Sequence, residues 1–179
     1  DLGMPGARFE VRLETLDSIG RMGTESVEFM VSVNPGFPPR PLARVASGGE
    51  LARVMLALKT SLAAVDEVPS LVFDEIDAGI GGTTANRVAE KLEQVAGAHQ
   101  VFAITHLPQI AARADQHFRV EKEPGEEFAA TRVDTLAAAD RAAELARMLG
   151  GEPPSAASLR HARELLQGSG TSGQGSTNS

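Results

Sequence analysis

The sequence SLVFDEID, residues 70–77, is the part of the chain that decides its fold. Its first four residues form a short, mostly apolar run of the kind found in buried parallel strands, and residues 100–105 form a second one. A helix between the runs is indicated by four apolar residues at helical spacing, Val88, Ala89, Leu92 and Val95. A strand, a helix and a strand within this length predict a βαβ unit with a right-handed crossover.

Antiparallel strands are predicted before this unit. Apolar residues alternate with polar ones in two stretches, with Phe9, Val11 and Leu13 in the first and Val27, Phe29, Val31 and Val33 in the second. Joined through residues 18–23, the two stretches predict a hairpin. Four prolines within residues 34–41 then predict a stiff loop without regular structure.

Helices are predicted on both sides of the βαβ unit. The first has one apolar stripe, made of Leu51, Val54, Met55, Leu58 and Leu62. Residues 117–122 and 128–136 predict a strand pair around a turn at 123–126, and helices follow over 138–149 and 155–166. Residues 1–167 are expected to form one α/β lobe, whereas the Gly- and Ser-rich residues 168–179 predict a disordered tail or linker.

Composition excludes several classes of protein. The chain has 179 residues, of which 42% are hydrophobic, and no apolar run approaches the roughly 20 residues that a membrane span needs. It has no cysteine, so disulfides and thiolate metal sites are excluded, which fits a cytoplasmic location. The net charge of −7 argues against a broad phosphate-binding surface on this chain. Any contact with nucleic acid is therefore expected to be made mainly elsewhere.

Two adjacent glycines precede the first helix. Ser47 and Glu50 match a capping box, which explains the serine and the glutamate. It does not explain Gly48 and Gly49, because glycine costs roughly 0.5–1 kcal/mol relative to alanine inside a helix. Bare backbone at a helix N-terminus lets an anion such as phosphate approach the unpaired N–H groups. Plain capping and phosphate binding both remain open at this point.

Acidic residues close the strand at 70–73. Asp74 and Glu75 follow it directly, at the carboxyl end where ligands bind in open α/β sheets. One carboxylate can hold Mg²⁺ while the other faces a nucleophilic water, although acids at a strand end can also be merely solvated. His106 follows the partner strand and is expected at the same sheet edge, in either a structural or a phosphate-contacting role.

Taken in order, ASGGELARVMLALK, LVFDEIDAGIGG and VFAITHLPQIAA resemble the signature motif, the Walker B motif with its D-loop, and the H-loop of ABC-type ATPases. They look specifically like the RecN family of bacterial DNA repair proteins, which is related to SMC proteins. Many ABC proteins have Gln after the paired glycines, whereas this chain has Glu50, as RecN-like sequences do. The resemblance implies an α/β fold, the C-terminal lobe of an ABC-type ATPase head, with a mostly parallel sheet flanked by helices and an N-terminal antiparallel hairpin.

The resemblance also implies ATP and Mg²⁺ as cofactors. The signature segment Ser47, Gly48, Gly49 and Glu50 would bind the γ-phosphate of ATP that is held mainly by the opposite subunit. Asp74 would support Mg²⁺, and Glu75 would be the general base that polarises the attacking water. Asp77 would communicate across the dimer, and His106 would sense the γ-phosphate.

No G-x-x-x-x-G-K-[ST] sequence occurs in the chain, so the phosphate-binding P-loop is missing. In the family that loop lies in an N-terminal lobe, which a long coiled coil separates from the C-terminal lobe. The implied partners are therefore the N-terminal lobe of the same head, a second head in a homodimer that sandwiches ATP, and DNA, with double-stranded ends expected and no membrane. This chain alone is expected not to hydrolyse ATP.

Two alternatives stay open. A transporter's nucleotide-binding subunit would share the three motifs, but the loop at 34–44, the ITHLPQIAA segment and the hairpin before it count against that interpretation. A non-catalytic interaction module could keep the fold without the reaction. Glu75 and His106 are both present, so the active-site half carries no sign of decay.

Overall fold

The computed structural model describes residues 2–45, 47–63, 65–123 and 130–169. The chain forms two compact units, Asp1–Ile104 and Thr105–Ser179. The fold class predicted from the sequence is confirmed, since an antiparallel hairpin sheet and a parallel strand pair with helices are both present. The single lobe expected over residues 1–167 stays a prediction. Within the described ranges, no helix combines the length and the apolar character needed to cross a membrane.

The first unit begins with a long hairpin. Strands β1 (Arg8–Gly20) and β2 (Gly23–Ser32) pair antiparallel, so each is longer than the alternation indicated and only two residues form the turn. The prediction that residues 34–41 contain no regular structure was wrong at their end. There β3 (Arg40–Pro41) pairs with β2, and a short 3-10 turn (Leu42–Arg44) follows. Proline is tolerated here because the strand has two residues and lies at the sheet edge.

One face of this hairpin is apolar and open. Register places Phe9 opposite Val31, Val11 opposite Phe29 and Leu13 opposite Val27, so the alternating residues do share a face. Val31 is buried, but the other five side chains are between 38% and 60% exposed. The Phe9 and Phe29 rings lie 5.6 Å apart between centroids. We call these six residues the apolar hairpin face, and nothing in the described part of the first unit covers most of it.

The predicted strand–helix–strand order with parallel strands is confirmed, but the expected burial of the strands is wrong, since Val72 and Phe102 are exposed. Strands β4 (Ser70–Phe73) and β5 (Gln100–Ala103) are parallel, with Phe73 opposite Ala103, and α2 (Gly82–Ala96) lies between them in the chain. The four predicted core residues of α2 are all buried, and Ala85 is buried on the same helix. The main chain of Ile104 donates to the Phe73 carbonyl, so the two strands end side by side.

The helix that follows Ser47 is α1 (Gly48–Leu62), and its buried face differs from the predicted stripe. Its buried residues are Gly49, Arg53, Val54 and Leu56, whereas Met55 and Leu62 of the predicted stripe are exposed. The difference arises because the Arg53 guanidinium donates hydrogen bonds to main-chain carbonyls inside the unit, which allows this charged side chain to be buried. Of the other stripe residues, Val54 is buried and Leu51 and Leu58 are partly buried.

The second unit contains α3 (Pro108–Ala111), β6 (Phe118–Glu123), β7 (Ala130–Thr135), α4 (Ala138–Gly150) and α5 (Ala156–Ser169). The strand pair and both long helices match the prediction to within a few residues, although most of the expected turn at 123–126 lies outside the described residues. Gly151 ends α4 with a φ of +79°, a conformation that glycine adopts readily. Helices α4 and α5 pack around buried Leu145, Ala146 and Ala162. Helix α5 continues two residues into the expected tail, and residues 170–179 lie outside the described part.

Candidate functional site

Helix α1 begins with a side-chain cap. Ser47 is extended, at φ −109° and ψ 125°, and its hydroxyl accepts a hydrogen bond from the Glu50 main-chain N–H at 3.4 Å. This is the serine half of the predicted capping box. The cap fixes where the helix starts, and the two glycines lie in its first turn. Main-chain N–H groups in a first turn have no carbonyl of a preceding turn to donate to.

Both glycines pack closely within the chain, and Gly49 is the one that the packing requires, because its neighbours cannot move aside. A Cβ at Gly48 would overlap Oε2 of Glu75. A Cβ at Gly49 would lie 2.8 Å from the Ala78 Cβ and 2.9 Å from the Glu75 carbonyl oxygen, which is closer than real Cβ atoms approach. The start of α1 therefore lies directly against the segment that follows β4. This contact gives the glycines a structural reason that the sequence did not reveal, independent of any bound phosphate.

The second of the two acidic residues after β4, Glu75, has a strained backbone. Glu75 has a φ of +55°, the left-handed region that residues other than glycine rarely adopt. Asp74 stabilises this bend, since its Oδ1 accepts from the Glu75 N–H at 2.9 Å, and the Glu75 carbonyl accepts from Ala78 N–H at 2.9 Å. Both carboxylates are exposed. Strain of this kind concentrates at functional sites, and here it turns the Glu75 carboxylate towards the start of α1.

Arg53 joins α1 to the same segment, and sequence reasoning missed it. Its Nη1 donates to the carbonyl oxygens of Ile76 at 3.3 Å and Ala78 at 2.9 Å, on either side of the buried Asp77. Burial lowers the pKa of Arg53, and the nearby Glu50 carboxylate raises it in part. The signal available in the sequence was spacing, because Arg53 follows Gly49 by four residues and so lies on its face of the helix.

An apolar cleft of about 350 Å³ lies beside these residues in the first unit. Its lining includes Gly48, Leu51 and Met55 of α1 together with Phe73 and Asp74 of β4. No group of three or more His, Asp or Glu side chains that could hold a metal occurs among the described residues. Magnesium in phosphate-transfer sites is held by one or two carboxylates plus substrate phosphates, so Asp74 alone fits that mode of binding. The cleft adds an apolar wall next to it.

His106 belongs to the second unit. It is exposed, and the next residue, Leu107, is fixed by a main-chain hydrogen bond to the Thr105 hydroxyl at 3.0 Å. The first unit thus brings together the signature-like residues 47–50 and the acidic segment 74–77. The expected place of His106 beside the carboxylates stays a prediction.

The second unit has a polar cluster of its own. The buried Glu144 accepts hydrogen bonds from Arg147 at 2.9 and 2.6 Å, and this pairing lowers the pKa of the Glu144 carboxyl. Burial lowers the pKa of His117, and nearby Arg141 lowers it further. Arg141 donates from Nη2 to the carbonyl oxygens of three residues at or just beyond the end of α3, Ala111, Ala112 and Ala114. Arg141 thus joins α4 to the end of α3, whereas the Glu144–Arg147 pair lies within α4.

The sequence is similar to curated DNA repair proteins. It is 52% identical over 172 residues to the DNA repair protein RecN of Treponema pallidum, and 50% identical over 168 residues to that of Deinococcus radiodurans. These matches cover 93% and 94% of this chain. The chain spans about 30% of the length of these relatives. No protein-family model matches it.

Solved structures of SMC heads have a similar fold. The Smc head domain with a coiled coil and joint from Pyrococcus yayanosii matches with a TM-score of 0.56 and 22% identity, over 92% of this chain and 26% of that one. The Smc head domain bound to the C-terminal domain of ScpA from Pyrococcus furiosus matches with a TM-score of 0.50 and 21% identity, over 74% and 31%. At these identities the likeness concerns the fold alone. The RecN resemblance predicted from the three motifs is confirmed by the sequence similarity.

Proposed function

This chain is homologous to RecN proteins, and from that premise we propose that it is the C-terminal lobe of the ATP-hydrolysing head of a RecN-type DNA repair protein. The observation that carries the proposal is the packing of Gly48 and Gly49 against residues 75–78. It joins a phosphate-type helix start to a pair of exposed carboxylates. The similarity to RecN along 93% of the chain favours a repair protein over a transporter subunit.

The residues have separate tasks in this proposal. The N–H groups at the start of α1, with the Ser47 hydroxyl, contact the γ-phosphate of an ATP held mainly by a second head. Glu75 accepts the proton of the attacking water through its exposed carboxylate. Asp74 holds the backbone bend at Glu75 by accepting a hydrogen bond from its main-chain N–H. When bound at Asp74, Mg²⁺ would neutralise charge on the phosphates. Asp77, which is buried in this unit, communicates across the dimer, and His106 senses the γ-phosphate.

A partner lobe is needed to complete the head. The chain carries no P-loop sequence, and it spans about 30% of its relatives' length, so the proposed N-terminal lobe lies in the remainder of the protein. Two open apolar surfaces of the first unit support this lobe as a covering partner. One is the apolar hairpin face, and the other is the sheet surface of Val72, Phe102 and Ile104, each at least 44% exposed. Exposed apolar area of this kind is typical of interfaces.

In the assembled protein, two heads sandwich ATP and thereby engage around or on double-stranded DNA ends. The acidic net charge of this chain places most of the DNA contact on other segments of the protein. The proposed location is cytoplasmic and nucleoid-associated, and it is supported by the similarity to DNA repair proteins.

The test is Glu75→Gln in the full-length protein. Loss of a general base lowers turnover by roughly 10²–10⁴-fold, and a head that binds ATP without hydrolysing it stays engaged with its partner. We therefore expect kcat to fall by that amount and ATP-dependent dimers to persist in size-exclusion chromatography. Glu67→Gln is the matched control, because it neutralises an exposed acid of the same unit outside the site. Unchanged turnover in Glu75→Gln would show that Glu75 is not the general base, and absence of turnover in the wild type would support the interaction-module interpretation.

A second experiment tests the missing lobe. ATP hydrolysis is measured for this chain alone, and then for the chain mixed with the N-terminal lobe. We expect turnover only in the mixture, because the P-loop supplies the contacts that hold the β- and γ-phosphates. Turnover by the chain alone would contradict the proposal of a split head, and turnover in neither sample would favour the interaction module.

A further inference from the structure

Arg53 occupies an unusual position for a charged side chain. It is 5% exposed, in the second turn of α1, and its two hydrogen-bond acceptors among the described residues are both main-chain carbonyl oxygens. Its Nε is buried and has no hydrogen-bond partner there. Removing a guanidinium from water is costly unless charge and hydrogen bonds compensate it, and neutral carbonyls compensate it only in part. A methionine would fill the same space without this cost, so packing alone does not account for the arginine.

The two carbonyls define what the arginine holds. They belong to Ile76 and Ala78, which flank Asp77, and Ala78 is also bonded through its N–H to the carbonyl of Glu75. The guanidinium therefore fixes the four-residue segment 75–78, including the residue with positive φ, to the second turn of α1. Gly49 provides the matching contact one turn earlier, where only a glycine fits against Ala78 and the Glu75 carbonyl.

We propose that Arg53 is a positioning residue that makes the start of α1 and the segment 75–78 move as one body. The proposal rests on the proposed function, since it concerns the residues that would carry out the reaction. A phosphate that binds at Ser47–Gly49 shifts the first turn of α1, and the rigid connection transmits this shift to Glu75 and Asp77. Without Arg53 the phosphate still binds, but Glu75 and Asp77 no longer shift together with the first turn of α1.

Substitutions at this residue separate positioning from packing. Arg53→Met keeps a long buried side chain but leaves the Ile76 and Ala78 carbonyls without their donor. Arg53→Lys keeps a charged nitrogen, and a single nitrogen is sufficient because Nη1 alone makes both hydrogen bonds. Arg141→Met is the matched control, since Arg141 also donates to main-chain carbonyls but holds residues 111–114, which include none of the proposed site residues.

The experiment compares these variants in the full-length protein by hydrogen–deuterium exchange and by steady-state ATP hydrolysis. In Arg53→Met we expect the Ala78 amide to exchange about tenfold faster. We expect kcat to fall by roughly ten- to a hundredfold with little change in KM for ATP, because misplacing a reacting group by about 1 Å has effects of that order. Arg53→Lys should recover most of both losses, and Arg141→Met should change neither the Ala78 exchange nor kcat.

Three results would overturn the inference or its premise, each in a recognisable way. Unchanged Ala78 exchange in Arg53→Met would show that Arg53 does not hold the segment. Faster Ala78 exchange in Arg53→Met, together with a kcat equal to that of Arg141→Met, would show that fixing the segment 75–78 has no part in the reaction. Absence of ATP turnover in the wild-type full-length protein would overturn the proposed function instead, and the exchange data would still decide whether Arg53 fixes the segment.

Discussion

Replacing Gly49 by alanine should destabilise the first unit, although alanine is the better helix former. The new Cβ would lie 2.8 Å from the Ala78 Cβ, 2.9 Å from the Glu75 carbonyl oxygen and 3.1 Å from Nη1 of Arg53. Two of these atoms cannot rotate away, so the backbone must shift, and overpacking of this kind costs about 1–3 kcal/mol. Alanine regains about 0.5–1 kcal/mol of helix propensity. We therefore expect a net loss of about 1–2 kcal/mol in stability, that is, a roughly 5–30-fold change in the opening equilibrium.

The assay is native-state hydrogen–deuterium exchange of the α1 and Ala78 amides in the full-length protein. Gly48→Ala is the matched control, because its Cβ meets the Glu75 carboxylate, the exposed end of a flexible side chain that can move aside. We expect Gly48→Ala to stay within about 0.5 kcal/mol of the wild type, while turnover falls because the carboxylate is displaced. Exchange in Gly49→Ala that is as slow as in the wild type, or a larger effect of Gly48→Ala, would refute the reasoning.

Other substitutions test the cap, the second unit and its pH dependence. Ser47→Ala should destabilise α1 by about 1 kcal/mol in the same exchange experiment, because the helix loses its cap. Ser47→Arg should also abolish ATP-dependent dimers in size-exclusion chromatography. Dimers that persist in Ser47→Arg would argue against a phosphate contact at this residue. Because burial holds the pKa of His117 below its ordinary 6.5, the unfolded chain takes up a proton first as the pH falls. Stability measured by urea denaturation and circular dichroism should thus be lower at pH 5.5 than at pH 7.5, and His117→Leu should reduce this difference; an equal difference in the variant would contradict it. Arg147→Met leaves the buried Glu144 unpaired, so it should cost about 1–3 kcal/mol in the same denaturation experiment. A loss below about 0.5 kcal/mol would contradict that role.

The regular elements could be predicted from the sequence because their patterns depend only on local periodicity. The bounds of β4, Ser70–Phe73, were predicted correctly, and so was the buried face of α2, since a parallel strand and an amphipathic helix leave different periods in the sequence. The order of the three motifs was sufficient to indicate the RecN resemblance.

Features that depend on tertiary contacts could not be predicted in this way. The apolar stripe of α1 did not identify the whole buried face, because that face also carries Arg53, whose carbonyl acceptors lie 23 and 25 residues away in the chain. The apolar hairpin face alternates as a buried strand does, yet it is open in the first unit, because periodicity identifies an apolar face without saying what covers it. The left-handed backbone of Glu75 has no signature in the sequence either, since glutamate is not a residue that indicates positive φ.

At Glu75, the residue with the left-handed backbone, stability and the proposed reaction favour different amino acids. A glycine at 75 would adopt a φ of +55° without the strain of roughly 1 kcal/mol or more that glutamate bears there, so it would stabilise the fold while removing the carboxylate. Under the proposed role of Glu75, a related chain with glycine at this position is expected to fold more stably and to hydrolyse no ATP.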